Sequence, residues 1–288
     1  MRVLVVYKQS YLEAHRGDSA LRRLEAKQRA RLLRDDRENR SVLAFVMKEL
    51  RKAGILATSV LRAKLAAQPR YDLIVTVGGD GTFFMAAHHA HGTPILGVNS
   101  VPWSSLGLFS GATRTTFPSK LKAALAGKLP ATILNRFTVS VNGRVRPELG
   151  VNDVLIAHPS PAYLSRLAFS IDGRAAEIQR SSGLWISTAA GSTAAIRAAG
   201  GRRMPITDRR LQFLVREPYD WPSRARKQHG FAKRSVEVDI LMNEAHLWVD
   251  GARTRVDLEL GDRVGIATGA EPAVVLGVDL RRRDRLFP

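Results

Sequence analysis

The sequence predicts an α/β N-terminal domain built on a parallel sheet, followed by an all-β, sandwich-like C-terminal domain. Three observations carry this expectation. The first third alternates short β-branched runs with helical patterns, as a parallel sheet covered by helices does. Beyond about residue 130 strand-like segments follow one another through tight turns, and Asn142-Gly143, Asp172-Gly173 and Asp250-Gly251 are dipeptides that accept the positive φ of a two-residue hairpin. At 288 residues the chain is long enough for two ordinary cores. Residues 1–130 and 131–270 are the expected domains.

Residues 2–7, Arg-Val-Leu-Val-Val-Tyr, read as the first strand, and no signal or transit peptide is expected ahead of them. The charged stretch from 10 to 40 has Leu21, Leu24, Leu32 and Leu33 near helical spacing and is expected to be helix plus mobile loop with a solvated face. Val42, Phe45, Val46 and Leu50 mark a clearer apolar helix face, with Gly54 placed to close it in a left-handed cap. Strands are expected at 55–61, 72–77 and 95–98. In the second half 192–199 is the one convincing helical run, and Pro218, Pro222 and the basic stretch between Trp221 and Gly230 read as a surface loop.

Composition narrows the chemistry. There are no cysteines, which excludes disulfides, thiolate metal sites and a Cys nucleophile and makes a reducing cytoplasm the default location. No apolar run approaches the roughly 20 residues of a membrane helix, so a soluble protein with no membrane partner is expected. The 45 Lys and Arg against 26 Asp and Glu leave a net charge of +19. Nucleic acid is one reading of that excess. The basic residues are spread along the chain without a recognition motif, which favours a solvated basic surface that steers phosphate-bearing small molecules.

The strongest local signal is Gly78-Gly79-Asp80-Gly81-Thr82, lying between a buried strand and a helix expected to start near Thr82. Glycines there let backbone approach a ligand, and free N–H groups at a helix N-terminus suit a phosphate. Asp80 has no evident structural duty in the sequence; it is read as catalytic, and the competing reading is a capping Asp in a tight turn. The Rossmann and P-loop endings are both missing. Downstream, Asn152-Asp153 can hold a ribose or adenine through an amide and a carboxylate, or can simply open a strand. Gly191, Ser192, Thr193 and Ala194 form a small-residue loop that can accept adenine or phosphate, or cap a helix. His88, His89 and His91 lack the spacing of helical zinc ligands and are read as a solvated or packed helix end, with no metal held by protein side chains expected, Asp80 being the one candidate. His158 and His246 have only position near strand ends to recommend them, and Asp250 is read as a hairpin residue. Trp185 and Trp248 are read as core or interface aromatics.

The Gly78 to Thr82 turn resembles a signature shared by NAD kinases, by lipid kinases of the diacylglycerol and sphingosine type, and by 6-phosphofructokinases. Asn152-Asp153 and the segment from Gly183 to Ala194, followed by Gly200-Gly201, are similar to two further NAD kinase segments in the same order. Asn99, Leu106-Gly107 and Val249-Asp250-Gly251 extend the match, and the charged insertion after the first strand is more like the mitochondrial and plant NADH kinase branch. The resemblance implies transfer of a phosphoryl group from ATP or polyphosphate, with Mg²⁺, to the 2′-hydroxyl of the adenosine ribose of NAD or NADH. It implies Asp80 as the catalytic group, with Gly78, Gly79, Gly81, Thr82 and Asn99 on phosphate or nucleotide. Asn152, Asp153, Ser182, Thr188, Gly191, Ser192, Thr193 and Ala194 fall on the dinucleotide, with Ser182 standing where the family usually carries Asp. A homodimer or homotetramer, and a tail at 271–288 packed on the N-terminal domain, are also implied. The alternatives are a lipid kinase using the same turn and a non-catalytic nucleic-acid-binding protein on a related fold.

Overall fold

Val3, Leu4, Val5 and Val6 are all buried, so the first strand, β1 (Arg2–Tyr7), lies inside its sheet with both faces covered. This is a computed structural model, and it describes residues 1–65, 70–219, 228–252 and 254–287. The chain divides into two units, residues 1–132 with 274–286, and 133–273 with 287–288.

In the first unit β1 leads through a single helical turn, α1 (Tyr11–Ala14), to α2 (Ala26–Lys52), then β2 (Leu56–Leu61), β3 (Leu73–Gly78), α3 (Asp80–Ala87), β4 (Ile95–Asn99), β5 (Ala112–Thr113) and α4 (Phe117–Leu125). The strands lie in the order β2-β1-β3-β4, all parallel. The β3–β4 register sets Gly78 beside Asn99 at the carboxyl ends of the strands, where ligands bind in open parallel sheets.

In the stretch from 10 to 40 the helical part of the expectation holds and is longer than the sequence indicated. Beyond α1 and a 3₁₀ turn at Ser19–Arg23, it is the first half of one 27-residue helix. A capping box opens that helix: the Glu25 side chain accepts from the backbone N–H of Gln28, whose side chain accepts from the Glu25 N–H. Its buried face is Asp36, Asn39, Val42, Val46 and Leu50, so the stripe continues at helical spacing but changes from apolar to polar. Asn39 Nδ2 donates to the Lys8 carbonyl at 3.0 Å, Ser100 Oγ donates to Asn39 Oδ1 at 2.8 Å, and Ser10 Oγ donates to Asp36. At the other end Gly54 takes φ +70° and the Ile55 N–H donates to the Leu50 carbonyl at 3.0 Å, the left-handed cap expected there.

The second unit contains β6 (Ala131–Val141), β7 (Arg144–Val145), β8 (Asp153–Ala157), β9 (Ser165–Ile171), β10 (Glu177–Ser181), β11 (Gly183–Ser187), α5 (Ala195–Ala198), β12 (Leu211–Arg216), β13 (His229–Ala232), β14 (Ser235–Ile240), β15 (Glu244–Val249), β16 (Thr254–Glu259) and most of β17 (Arg263–Leu276). One sheet runs β10-β9-β14-β17, with β6 on β17 and β7 on β6. The other runs β13-β12-β11-β8-β15-β16, antiparallel throughout. Phe137, Phe169, Val238 and Ile266 from the first sheet and Ile156, Ile186, Phe213 and Leu247 from the second share one core. Trp185 and Trp248 stand on the opposite face of the second sheet in register with Leu155, half-buried, so neither is a core residue.

Three expectations change here. Only Asn142-Gly143 makes a two-residue hairpin, between Val141 and its partner Arg144. Asp172 and Asp250 take positive φ but open longer connections, and their carboxylates accept from backbone amides far away in the chain. The run at 192–199 is a 3₁₀ turn at Gly191–Thr193 followed by a four-residue helix. Of the surface loop read at 221–230, residues 220–227 lie outside the described residues, and His229 and Gly230 belong to β13. The last helix is α6 (Leu280–Leu286), in the first unit.

Candidate active site

The Gly78 to Thr82 turn sits where β3 meets α3. The helix begins at Asp80, two residues earlier than expected, with Gly79 as its N-cap. Asp80 does not cap it. Its Oδ2 accepts from Leu108 N at 3.0 Å and its Oδ1 from Phe109 N at 2.9 Å, so the side chain has a structural duty that the sequence did not reveal. That loop is fixed by packing, since the Phe109 ring stacks on Phe83 at 5.2 Å and meets Phe84 at 5.5 Å. Asn99 ties it from below, donating to the Ser105 carbonyl at 2.9 Å. A Cβ at Gly79 would stand 2.1 Å from Ser105 Oγ, so the Ser105 hydroxyl would have to turn aside to admit one. Burial pushes the Asp80 carboxyl above its ordinary range, against the pull of the Phe109 and Leu108 amides and the charge of Arg282.

Two cations accompany the turn. Arg62 Nη1 donates to the buried Thr82 Oγ1 at 3.2 Å and lies 3.5 Å from where a Cβ on Gly81 would stand, with otherwise open space around that point. Lys8 is held below its usual range by burial and then by the Arg62 charge. Neither was singled out in the sequence, since nothing local distinguishes them among 45 basic residues. His88 is buried at the C-cap of α3 and His91 lies in the turn after it. Among the described residues no group of three or more His, Cys, Asp or Glu could hold a metal ion.

In the second unit Asn152, Asp153, Thr188 and Gly191 come together around Asp250. Its Oδ1 accepts from Asn152 N at 2.7 Å and Asp153 N at 3.1 Å, and its Oδ2 from Val151 N at 2.8 Å. Asp250 is therefore the organiser of this loop as well as a turn residue. Asn152 Nδ2 donates to Asp153 Oδ2 at 3.0 Å. Thr188 donates its hydroxyl to the Val151 carbonyl and accepts from Ala190 N at 3.1 Å, which joins the two segments. Gly191 packs so closely on Asn152 that a Cβ would stand 2.0 Å from the Asn152 carbonyl oxygen. Ser192 Oγ is turned inward, donating to the Ala189 carbonyl at 2.8 Å and accepting from Met204 N at 2.9 Å. Thr193 is mostly buried and Ala194 half-buried beside it. Ser182 lies apart, before the start of β11 and six residues from Thr188, about 20 Å along an extended strand. Burial, and then the Asp250 charge, push the Asp153 carboxyl up to about 7.

A Gly-Gly-Asp-Gly-Thr turn at the carboxyl edge of a parallel sheet, in one chain with an antiparallel β unit that presents an Asn-Asp pair, defines a two-domain small-molecule kinase. Comparison with known proteins makes this specific. Residues 18–128 match the ATP-NAD kinase N-terminal domain and residues 151–278 the ATP-NAD kinase C-terminal domain. The chain is 35% identical over 224 residues to a probable NADH kinase of Oryza sativa, covering 69% of each protein. It is 34% identical over 232 residues to an NADH kinase of Arabidopsis thaliana, covering 69% of this chain and 70% of that one. A solved yeast NADH kinase in complex with NADH superposes with a TM-score of 0.74 at 14% identity, covering 99% of this chain and 86% of that chain. An Archaeoglobus fulgidus NAD kinase in complex with ATP gives 0.69 at 21%, covering 99% and 97%. These two structures share the fold. The chain belongs to the NAD kinase family and is a kinase enzyme. Among its described residues no helix is long and apolar enough to cross a membrane.

Proposed function

We propose that this kinase transfers the terminal phosphoryl group of ATP to the 2′-hydroxyl of the adenosine ribose of NADH or NAD. The observation that carries the reading is Asp80: a carboxyl at the mouth of the glycine turn, held by two amides and raised by burial, is poised to take the proton of an attacking hydroxyl. Phosphoryl transfer asks for alignment and charge neutralisation more than covalent help. The open backbone at Gly81, the α3 N-terminus and Arg62 supply the second, and Asn152 and Asp153 supply polar groups for the ribose and adenine. That two plant relatives are named NADH kinases supports NADH as the acceptor in this reading.

A divalent ion, Mg²⁺ in this reading, supplies charge neutralisation between the phosphates when bound. The donor set present fits an ion held chiefly by nucleotide oxygens, because Asp80 is the one carboxylate at the turn and each of its oxygens retains a lone pair beyond its amide. A cytoplasmic homodimer or homotetramer completes the proposal. The test is purified protein with Mg²⁺, ATP or polyphosphate crossed with NAD and NADH, and diacylglycerol as a control acceptor, scored for 2′-phosphorylated dinucleotide. Asp80→Asn should keep dinucleotide binding and lose about 100-fold or more in kcat. Phosphorylation of diacylglycerol alone, or near-normal turnover by the Asn variant, would remove this reading.

A further inference from the structure

Asp80 is held by the amides of Leu108 and Phe109, and the two preceding residues of the same loop are held from elsewhere. Arg282, on α6, donates from Nη2 to the Leu106 carbonyl at 2.6 Å and from Nη1 to the Gly107 carbonyl at 3.5 Å. Gly107 takes φ +56° and lies against Asn99, where a Cβ would approach Asn99 Nδ2 to 2.4 Å. The loop is thus gripped at two consecutive carbonyls by one guanidinium and delivers its next two amides to one carboxylate. α6 itself is anchored by the buried side chain of Arg283, and Asp279 Oδ1 accepts from Arg282 N at 3.0 Å in its first turn.

We propose that Arg282 is a positioning residue for Asp80, clamping the carbonyls of Leu106 and Gly107 so that the amides of Leu108 and Phe109 stay aimed at the Asp80 carboxylate. A planar fork suits the task, since it can serve two neighbouring acceptors at once and keeps its charge at every working pH. Its charge acts on Asp80 in the same sense as the amides, favouring the ionised form that accepts a proton. Other charged groups at this end of the unit include Asp279 beside Arg282, and Arg62 with Lys8 and Asp35 beyond Thr82. The tail of the chain thereby enters the reaction without touching substrate.

The inference rests on Asp80 serving the reaction proposed above, so its first readout does not depend on turnover. Asp80 is followed by carboxyl ¹³C NMR in the full-length protein, together with amide exchange at Leu108 and Phe109, for wild type, Arg282→Ala, Arg282→Lys and Arg281→Ala. Arg281 is an exposed neighbour on the same helix and controls for charge alone. In Arg282→Ala the Asp80 titration should move up by about half a pH unit or more, and both amides should exchange about 10-fold faster or more. In Arg282→Lys, which keeps the charge and loses the fork, the titration should move less while exchange still quickens; this variant carries the test should the alanine protein fail to fold. kcat should fall about 10-fold or more in Arg282→Ala with KM for both substrates within about 3-fold, because only alignment is lost. Unchanged titration and exchange, an equal shift in Arg281→Ala, or an unchanged kcat despite a moved Asp80 signal would each overturn the proposal. A wild-type protein that phosphorylates neither NAD nor NADH would sink the kinase reading instead, and the NMR comparison would still decide whether Arg282 holds Asp80.

Discussion

Asp250 accepts the Asn152 amide at 2.7 Å, and the same carboxylate takes the amides on either side of it. A residue nearly a hundred positions later in the chain therefore sets the backbone from which the Asn-Asp pair projects. Asp172 uses the same device in the same unit, accepting from the amides of Lys233, Arg234 and Ser235 at 2.9, 2.7 and 3.1 Å. Asp250→Ala is expected to cost about 1.5 to 3 kcal/mol, the range for hydrogen bonds to a charged group, and to weaken NADH binding about 10-fold or more. Asp172→Ala should lower Tm while leaving NADH affinity within about 2-fold, since no proposed ligand residue depends on it. Thermal denaturation and calorimetric titration of the two variants check the contrast.

Asp153 gives the chain a defined pH response. Its folded pKa of about 7 lies above the value near 3.9 of an unfolded aspartate. Such a group binds its proton more tightly when folded, so it stabilises fully below about pH 4 and that contribution is lost as pH rises towards 7. Ionised Asp153 then weighs against folding by up to about 4 kcal/mol, the linkage equivalent of three pH units. Asp153→Asn should therefore raise Tm at pH 8 and do so much less at pH 5. A Tm gain equal at both values would remove Asp153 as the cause.

Removing the neighbouring charge should act on the same carboxyl. In Asp250→Asn the Asp153 titration is expected to fall towards the ordinary aspartate range, because Asp250 is the second cause of its elevation after burial. Carboxyl NMR checks the direction, and a titration that rises would contradict it.

Gly79 and Gly191 both crowd an added side chain, against different kinds of neighbour. At Gly79 the obstacle is the Ser105 side chain, at 2.1 Å from its Oγ; at Gly191 it is the Asn152 backbone oxygen, at 2.0 Å. Gly191→Ala should cost about 1 to 3 kcal/mol as overpacking against backbone does, and Gly79→Ala less, because the Ser105 hydroxyl can turn aside. Ser105→Gly should recover most of the loss at Gly79. No side-chain truncation should recover it at Gly191, and a rescue by Asn152→Gly would contradict that. Denaturant unfolding of the single and double variants decides both.

What was legible in the sequence is what is written locally. The glycine turn announces itself because a strand, three glycines and a helix start are contiguous, and the apolar strands announce themselves by β-branched runs. What escaped depends on pairs far apart in the chain. Asp80 appears idle until residues 108 and 109 fold back on it, 28 and 29 positions later. Asp250 appears to be a turn residue until the segment 97 to 99 positions earlier reaches it. The first half of α2 appeared to be a solvated, partly irregular stretch because Asp36 and Asn39 interrupt its apolar pattern, and their partners on Ser10, Lys8 and Ser100 lie outside any helical window. Ser182 is the reverse case, a position carried by resemblance whose place before β11 is distant from the loop at 188–194.

The polar end of that helical stripe restricts where α2 can dock. A face of valines and leucines tolerates slippage by a turn, because one aliphatic side chain fills the place of another at modest cost. Asn39 has a single address, between the Lys8 carbonyl and the Ser100 hydroxyl, and any axial slide strands an amide out of water's reach. Extra residues ahead of position 26 would be absorbed as a longer overhang, whereas one residue inserted between Asn39 and Val42 would rotate the polar key off its lock by about 100°.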